Sequence, residues 1–178
     1  MKHAARSAAT TPRAVLGAVA ISISLIAAVA VVPASASNHA PPPIAVEPLT
    51  PRGIFTDDVS VKFKIKQDHH GTQVVNLREP SRAVVVRITI QPGARFPWHT
   101  HPGPVIVHVA SGQLTYVDSD GCTERVYPTG TVFVDAGNHV HSAYGSSAGV
   151  TTLIATFFDV PATGPITIPE ADQTTCSS

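Results

Sequence analysis

The chain has 178 residues, of which 43% are hydrophobic and 13% charged, and its 12 basic side chains balance its 12 acidic ones. This length suits one ordinary domain and is short for two. A chain without a basic excess has no electrostatic attraction for nucleic acid, so that class of partner is excluded.

Residues 1–36 have the pattern of a secretory signal peptide. Lys2, Arg6 and Arg13 precede an uncharged apolar run at 14–32, and Ala34-Ser35-Ala36 fits a small-x-small cleavage site. Cleavage there removes three basic residues and no acidic one, which leaves nine basic and twelve acidic residues. The alternative is an uncleaved anchor, because the apolar run is nearly long enough to span a bilayer. We predict a secreted, mildly acidic chain that leaves the membrane after cleavage.

A proline-rich segment follows at residues 37–58. Five prolines lie between positions 41 and 51, and proline has no N–H to donate to a hydrogen-bond ladder. The composition therefore predicts an extended leader without regular pairing.

From Val59 onwards the sequence has the alternation of half-buried strands. Val61, Phe63 and Ile65 alternate with three lysines, which is a period of two. Further runs rich in β-branched residues lie at 72–77, 83–90, 105–109, 113–117, 124–127, 131–134 and 150–158, with turns containing Gly or Pro between most of them. Eight short strands without an amphipathic helix predict a single all-β sandwich or barrel over residues 59–160.

Two cysteines, Cys122 and Cys176, remain in the mature chain. An even number in a secreted chain favours a disulfide, which would tie the C-terminal tail, residues 161–178, to the loop that carries Cys122. Closing this loop would stabilise the fold by about 4 kcal/mol through the entropy of the unfolded chain. The alternatives are two free thiols, or a metal-binding role for Cys122.

Three histidines have the spacing of a metal site. His99 and His101 alternate in an extended segment, so both side chains face the same side. His141 lies in a second strand-like segment, which a barrel can bring beside the first. Imidazole is the commonest metal ligand in proteins, and the pattern predicts His99, His101 and His141 as ligands. His139 is either a fourth ligand or a histidine at the rim.

Glycines in register with these histidines make the sequence resemble the cupin superfamily. The matching positions are Gly93, His99, His101 and Gly112 in the first cupin motif, and Gly130 and His141 in the second. This resemblance implies a single-domain cupin jelly-roll β-barrel with a metal at its open centre.

Val105 stands where the first cupin motif has a glutamate, which is usually a fourth ligand. Its loss leaves three neutral histidines, so a divalent ion would keep its full charge and be a stronger Lewis acid. Imidazole ligands favour Zn, Fe, Cu or Ni over Mn or Mg. A decayed site would show the same loss, so a metal-binding barrel and a metal-free one are both open.

Two classes of function fit these observations. The first is a secreted metal-dependent enzyme of dioxygenase, isomerase or lyase type that acts on a small molecule. The second is a binding module that holds a metal or a small apolar ligand without turnover. The sequence has no serine nucleophile elbow, phosphate-binding glycine loop or His-Glu-x-x-His motif, so its chemistry is confined to the metal. A homodimer formed through edge strands, as in many cupins, is a further expectation.

Overall fold

The computed structural model describes residues 43–57, 59–67, 71–77, 82–173 and 176. The predicted signal peptide and the first part of the leader lie outside these residues. The strands of the described part are β1 (Ile44–Pro48), β2 (Gly53–Ile54), β3 (Lys62–Gln67), β4 (Gly71–Asn76), β5 (Arg82–Ile90), β6 (His99–Thr100), β7 (Val105–Ser111), β8 (Gln113–Asp118), β9 (Glu124–Pro128), β10 (Val132–Asp135), β11 (His141–Gly145), β12 (Thr151–Phe158) and β13 (Ile168–Pro169). Each of the eight predicted strands overlaps one of them.

Two antiparallel sheets form a jelly-roll sandwich. The first has the order β1-β5-β12-β7-β10, with β2 also paired to β5, and the second has the order β13-β6-β11-β8-β9. Strands β3 and β4 form a separate hairpin. This arrangement confirms the predicted all-β fold class. No helix in the described ranges has the length and apolar character needed to cross a bilayer.

The hydrophobic core lies between the two sheets and follows from alternation along the strands. The first sheet contributes the buried side chains of Val84, Val86, Ile88, Ile90, Val105, Val107, Val109, Leu153, Ala155 and Phe157, and the second contributes Leu114 and Ala143. Burying each large apolar side chain is worth about 1.5–3 kcal/mol. Along β5, β7 and β12 these buried residues alternate with more exposed ones, so each of these strands provides both a core face and an outer face.

The leader is paired, contrary to the expectation from its prolines. Strand β1 runs antiparallel to β5, from Ile44 opposite Ile90 to Pro48 opposite Val86. The expectation was wrong because the strand contains a single proline, which lies at its end. Strand β1 is also an edge strand, where a missing N–H is tolerated.

The C-terminal tail is also part of the second sheet. Strand β13 pairs with β6 and places Ile168 opposite Thr100. The guanidinium of Arg52 donates hydrogen bonds to the carbonyls of Pro161 and Gly164, at 2.8 and 2.6 Å. Further along, Cys176 forms a disulfide with Cys122. The tail therefore runs past the short strand that carries the first histidine.

Candidate metal centre

Three buried histidines meet between the two sheets. His99 begins β6 and His101 follows its end, while His141 begins β11 and lies directly opposite His99 in the second sheet. Each is at most 6% exposed. One ligand nitrogen from each imidazole lies within 4.8 Å of the other two. The structure thus brings together all three histidines that the sequence nominates.

Backbone carbonyls determine which nitrogen of each imidazole carries the proton. The Nδ1 atoms of His99, His101 and His141 lie 2.7, 2.8 and 3.0 Å from the carbonyl oxygens of Pro97, Ile166 and His139. A carbonyl oxygen only accepts hydrogen bonds, so each Nδ1 is the donor. Each neutral ring then keeps its lone pair on Nε2, which is the arrangement that orients histidines for a metal.

The environment keeps two of these imidazoles neutral. Burial, with a smaller effect from the neighbouring His141, lowers the pKa of His99 to about 3. Burial also lowers the pKa of His101, although the carboxylate of Asp135 opposes this. A metal binds the neutral form of imidazole, so both side chains are competent ligands at neutral pH.

A buried carboxylate that the sequence analysis missed faces the triad. Asp135 ends β10 and is 3% exposed. Its Oδ2 lies 3.1 Å from Nε2 of His141 and 3.8 Å from Nε2 of His101. Its Oδ1 accepts a hydrogen bond from the N–H of Gly137 at 2.8 Å. In the sequence, Asp135 merely ends an apolar run and matches no motif position, so it carries little signal.

The loop after β10 positions this carboxylate. Gly137 and Asn138 have φ angles of 74° and 48°, so both adopt the left-handed conformation. The N–H of Asn138 donates to the carbonyl of His101 at 2.8 Å. A Cβ on Gly137 would lie 2.3 Å from the carbonyl oxygen of Gly103. The loop therefore packs closely against the backbone beside His101, and a glycine is required there.

The triad and Asp135 line a cavity of about 320 Å³. Its walls are mainly apolar and include Phe96, Leu114, Phe133, Phe157, Pro165 and Ile166. Val105 also lines this cavity, as the spacing of the first motif predicts. The described residues around it include no lysine and no arginine. This size and lining are those of a site for a small, mostly apolar molecule.

Tyr116 also lines the cavity. Its ring stacks on the imidazole of His141, with ring centres 4.7 Å apart and planes 14° from parallel. Burial raises the pKa of Tyr116, and the negative charge of Asp135 adds to this effect. The phenol therefore stays protonated and is a hydrogen-bond donor.

Two other sequence candidates, and one further histidine, lie outside this centre. Nε2 of His139 is 3.4 Å from Asp120 and 3.6 Å from Asp118, so His139 has the rim position and is not a fourth ligand. His108 is on the exposed side of β7, as its alternation indicates. Cys122 is in the disulfide.

Residues 86–157 match the family model described as Cupin domain. This segment contains the three histidines, Asp135 and Val105. The match and the jelly-roll sandwich support the assignment of this chain to the cupin superfamily, and they agree with the resemblance in the motif spacing.

Several solved structures are similar to this chain. A cupin-like protein from Thermotoga maritima is 28% identical over 52% of this chain and 67% of its own, with a TM-score of 0.46. Oxalate oxidase in complex with the substrate analogue glycolate is 23% identical over 43% of this chain and 41% of its own, with a TM-score of 0.38. The polyketide cyclase RemF from Streptomyces resistomycificus is 14% identical over 71% of this chain and 79% of its own, with a TM-score of 0.43. The chain thus spans less than half of the oxalate oxidase. No curated protein sequence matches it.

Proposed function

We propose that this chain is a metal-dependent cupin that acts on a small, largely apolar molecule. The observation that carries the proposal is the convergence of three imidazoles, each held at Nδ1 by a carbonyl, on one cavity. Their orientation is set by the protein before any ion binds, which favours metal affinity.

The donor set fits a divalent transition ion. Three buried imidazoles are suitable ligands for Zn, Fe, Cu or Ni. When bound, such an ion supplies a Lewis acid that polarises an oxygen of a substrate. The chain itself orients the ligands and surrounds the site with apolar walls that restrict water.

The cavity walls indicate the class of substrate. No described side chain around the cavity is a lysine or an arginine, so an anion would find no basic partner there. Apolar walls favour a ligand with an apolar body. We propose that this body carries one oxygen-bearing group, which points to the histidines and accepts a hydrogen bond from Tyr116.

Binding without turnover is the second candidate. The raised pKa of Tyr116 keeps its phenol protonated, so it cannot accept a proton from a substrate, and Asp135 faces the histidines. Among the described residues around the cavity, a separate general base is therefore missing. This observation favours a module that holds a metal and a ligand without converting it.

We also propose that the chain functions outside the cytoplasm. The signal-peptide pattern at residues 1–36 supports this, as does the disulfide, because such bonds persist in oxidising compartments. Mass spectrometry of the protein recovered from its native host should find a mature chain that begins at Ser37. A full-length chain in the membrane fraction would instead favour the uncleaved anchor.

Metal analysis of purified mature protein tests the main proposal. We expect about one equivalent of a transition metal, with His101→Ala weakening affinity by about 100-fold or more. His108→Ala is the matched control, because this histidine is exposed on the outside of β7. Wild-type protein that holds less than about a tenth of an equivalent, and cannot be loaded with more, would refute the proposal.

Product analysis separates the two candidate functions. Metal-loaded protein is incubated with small aromatic and aliphatic compounds that each carry one oxygen-bearing group, and each compound is then identified by mass spectrometry. Conversion that disappears in His101→Ala supports the enzyme. Compounds that bind and are recovered unchanged support the binding module.

A further inference from the structure

We propose that Asp135 supplies the metal-binding carboxylate that the cupin motif places at Val105. The centre then consists of three histidines and one carboxylate rather than three histidines alone. This inference rests on the metal site proposed above and concerns the residue that completes it.

The position of Asp135 in the sheet explains how it replaces the lost glutamate. Asp135 in β10 lies directly opposite Val105 in β7. Side chains of directly opposite residues emerge on the same face, with their Cβ atoms about 5 Å apart. Both side chains line the same cavity. The carboxylate has thus moved to the neighbouring strand and still points to the centre.

The contacts of Asp135 favour a cation between it and the histidines. Nδ1 of His101 and of His141 carries the proton, so their Nε2 atoms present lone pairs to Oδ2 of Asp135. Within the described part of the chain, the ion-pair partners of Asp135 are these two histidines, with no lysine or arginine. Buried acceptors that face one another are unfavourable unless a positive charge lies between them.

The distances agree with a shared metal ion. An ion with bonds of about 2.1 Å keeps two ligand atoms about 3.0 Å apart at a right angle and about 3.4 Å apart at a tetrahedral angle. The observed separation from Oδ2 to His141, 3.1 Å, lies between these two values. The separation to His101, 3.8 Å, corresponds to a wider angle of about 130° at the same bond length. Oδ1 is occupied by the N–H of Gly137, so a single oxygen is presented to the centre.

A carboxylate ligand changes which ion the site prefers. It lowers the charge of a divalent centre by one unit, and oxygen ligands suit Mn²⁺ better than an imidazole-only set does. We therefore expect the wild-type protein to bind Mn²⁺ as well as Zn²⁺. Removing the carboxylate should weaken Mn²⁺ binding more than Zn²⁺ binding.

Calorimetric titration of metal-free protein with Mn²⁺ and with Zn²⁺ tests this inference. Asp135→Asn keeps an oxygen for the Gly137 N–H, and we expect it to weaken Mn²⁺ binding by at least about 100-fold and Zn²⁺ binding by about 10-fold. The exposed Asp172→Asn is the control and should change neither affinity. The double variant Val105→Glu/Asp135→Asn should recover Mn²⁺ affinity to within about 10-fold of wild type.

Several outcomes would overturn the inference. If Asp135→Asn binds both ions as tightly as wild type does, the carboxylate is not a ligand. The same conclusion follows if the double variant does not recover Mn²⁺ affinity. If Asp135→Asn does not fold, Val105→Glu in the wild-type background decides. A gain in Mn²⁺ affinity beyond about 10-fold there would show that the carboxylate position was vacant. Wild-type protein that binds neither ion refutes the proposed metal site itself.

Discussion

The disulfide at the end of the tail supports both the fold and the metal centre. The tail carries Ile166, whose carbonyl accepts the Nδ1 hydrogen bond of His101, and it ends in the bond from Cys176 to Cys122. We expect the double variant Cys122→Ser/Cys176→Ser to lower the free energy of unfolding. We also expect it to weaken metal binding, because His101 loses part of its support.

The size of the stability loss follows from the length of the closed loop. The two cysteines are 54 positions apart. Cross-linking a loop of this length removes about 14 cal/mol/K of entropy from the unfolded chain, which is about 4 kcal/mol at 25 °C. Marginal stabilities of about 5–15 kcal/mol are usual for domains. The variant should therefore fold at room temperature but with a much smaller margin.

The loss of metal affinity should be smaller than the loss of a ligand. Without the disulfide, β13 still pairs with β6, and Arg52 still binds the carbonyls of Pro161 and Gly164. The carbonyl of Ile166 lies between these two attachments and stays near His101. We expect metal affinity to fall by about 10-fold, which is the lower end of the effect of removing a group that orients a ligand.

Urea unfolding of the metal-free proteins measures the first effect, and metal titration measures the second. Wild-type protein treated with a reducing agent is the matched control, since it lacks the bond but keeps both sulfur atoms. A stability loss below about 1 kcal/mol would refute the loop-closure argument. A loss of metal affinity as large as that of His101→Ala would refute the view that β13 and Arg52 hold the tail.

Two further predictions concern the β10 loop and acid stability. Gly137→Ala should lower the free energy of unfolding by about 1–3 kcal/mol or more, because φ is positive there and the new Cβ meets the backbone of Gly103. Urea unfolding measures this, with Gly149→Ala as the control because its Cβ would meet nothing within 4 Å; equal losses in both variants would contradict the argument. For acid stability, His99 has a pKa of about 3 in the folded chain and 6.5 in the unfolded one, so the unfolded chain binds the proton first as the pH falls. The contribution of neutral His99 to the free energy of unfolding of the metal-free protein should be complete above pH 6.5. It should fall by about 1.4 kcal/mol per pH unit as the pH drops from 6.5 towards 3. If the free energy of unfolding of His99→Asn depends on pH in the same way, the argument is wrong.

Local patterns account for most of what the sequence predicts correctly. The run of β-branched residues at 83–90 identifies β5 because strand composition is a property of the strand's own residues. The spacing of His99 and His101 likewise needs only a short extended segment. Strands β1 and β13 were missed because they are short and contain prolines, and their pairing partners are 38 or more positions away.

The tail contributes to the metal centre in a way that no local pattern could show. The side chain of Ile166 is not a metal ligand. Its backbone carbonyl oxygen is the atom that orients His101. Every residue except the last has such a carbonyl, so residue type gives no signal for this role. Only the path of the tail past β6 identifies the position.

The carboxylate was missed for a different reason, which lies in the register between β7 and β10. The N–H of Gly130 donates to the carbonyl of Val109, and the N–H of Val109 donates to Thr131, so the pairing of the two strands begins at this turn. Four positions after Thr131 on β10, Asp135 lies opposite Val105, which is four positions before Val109 on β7. A shift of one residue would turn Asp135 away from the cavity, because successive side chains face opposite sides. The turn that contains Gly130, a position that the motif spacing singles out without a chemical role, therefore begins the register that places Asp135 opposite Val105.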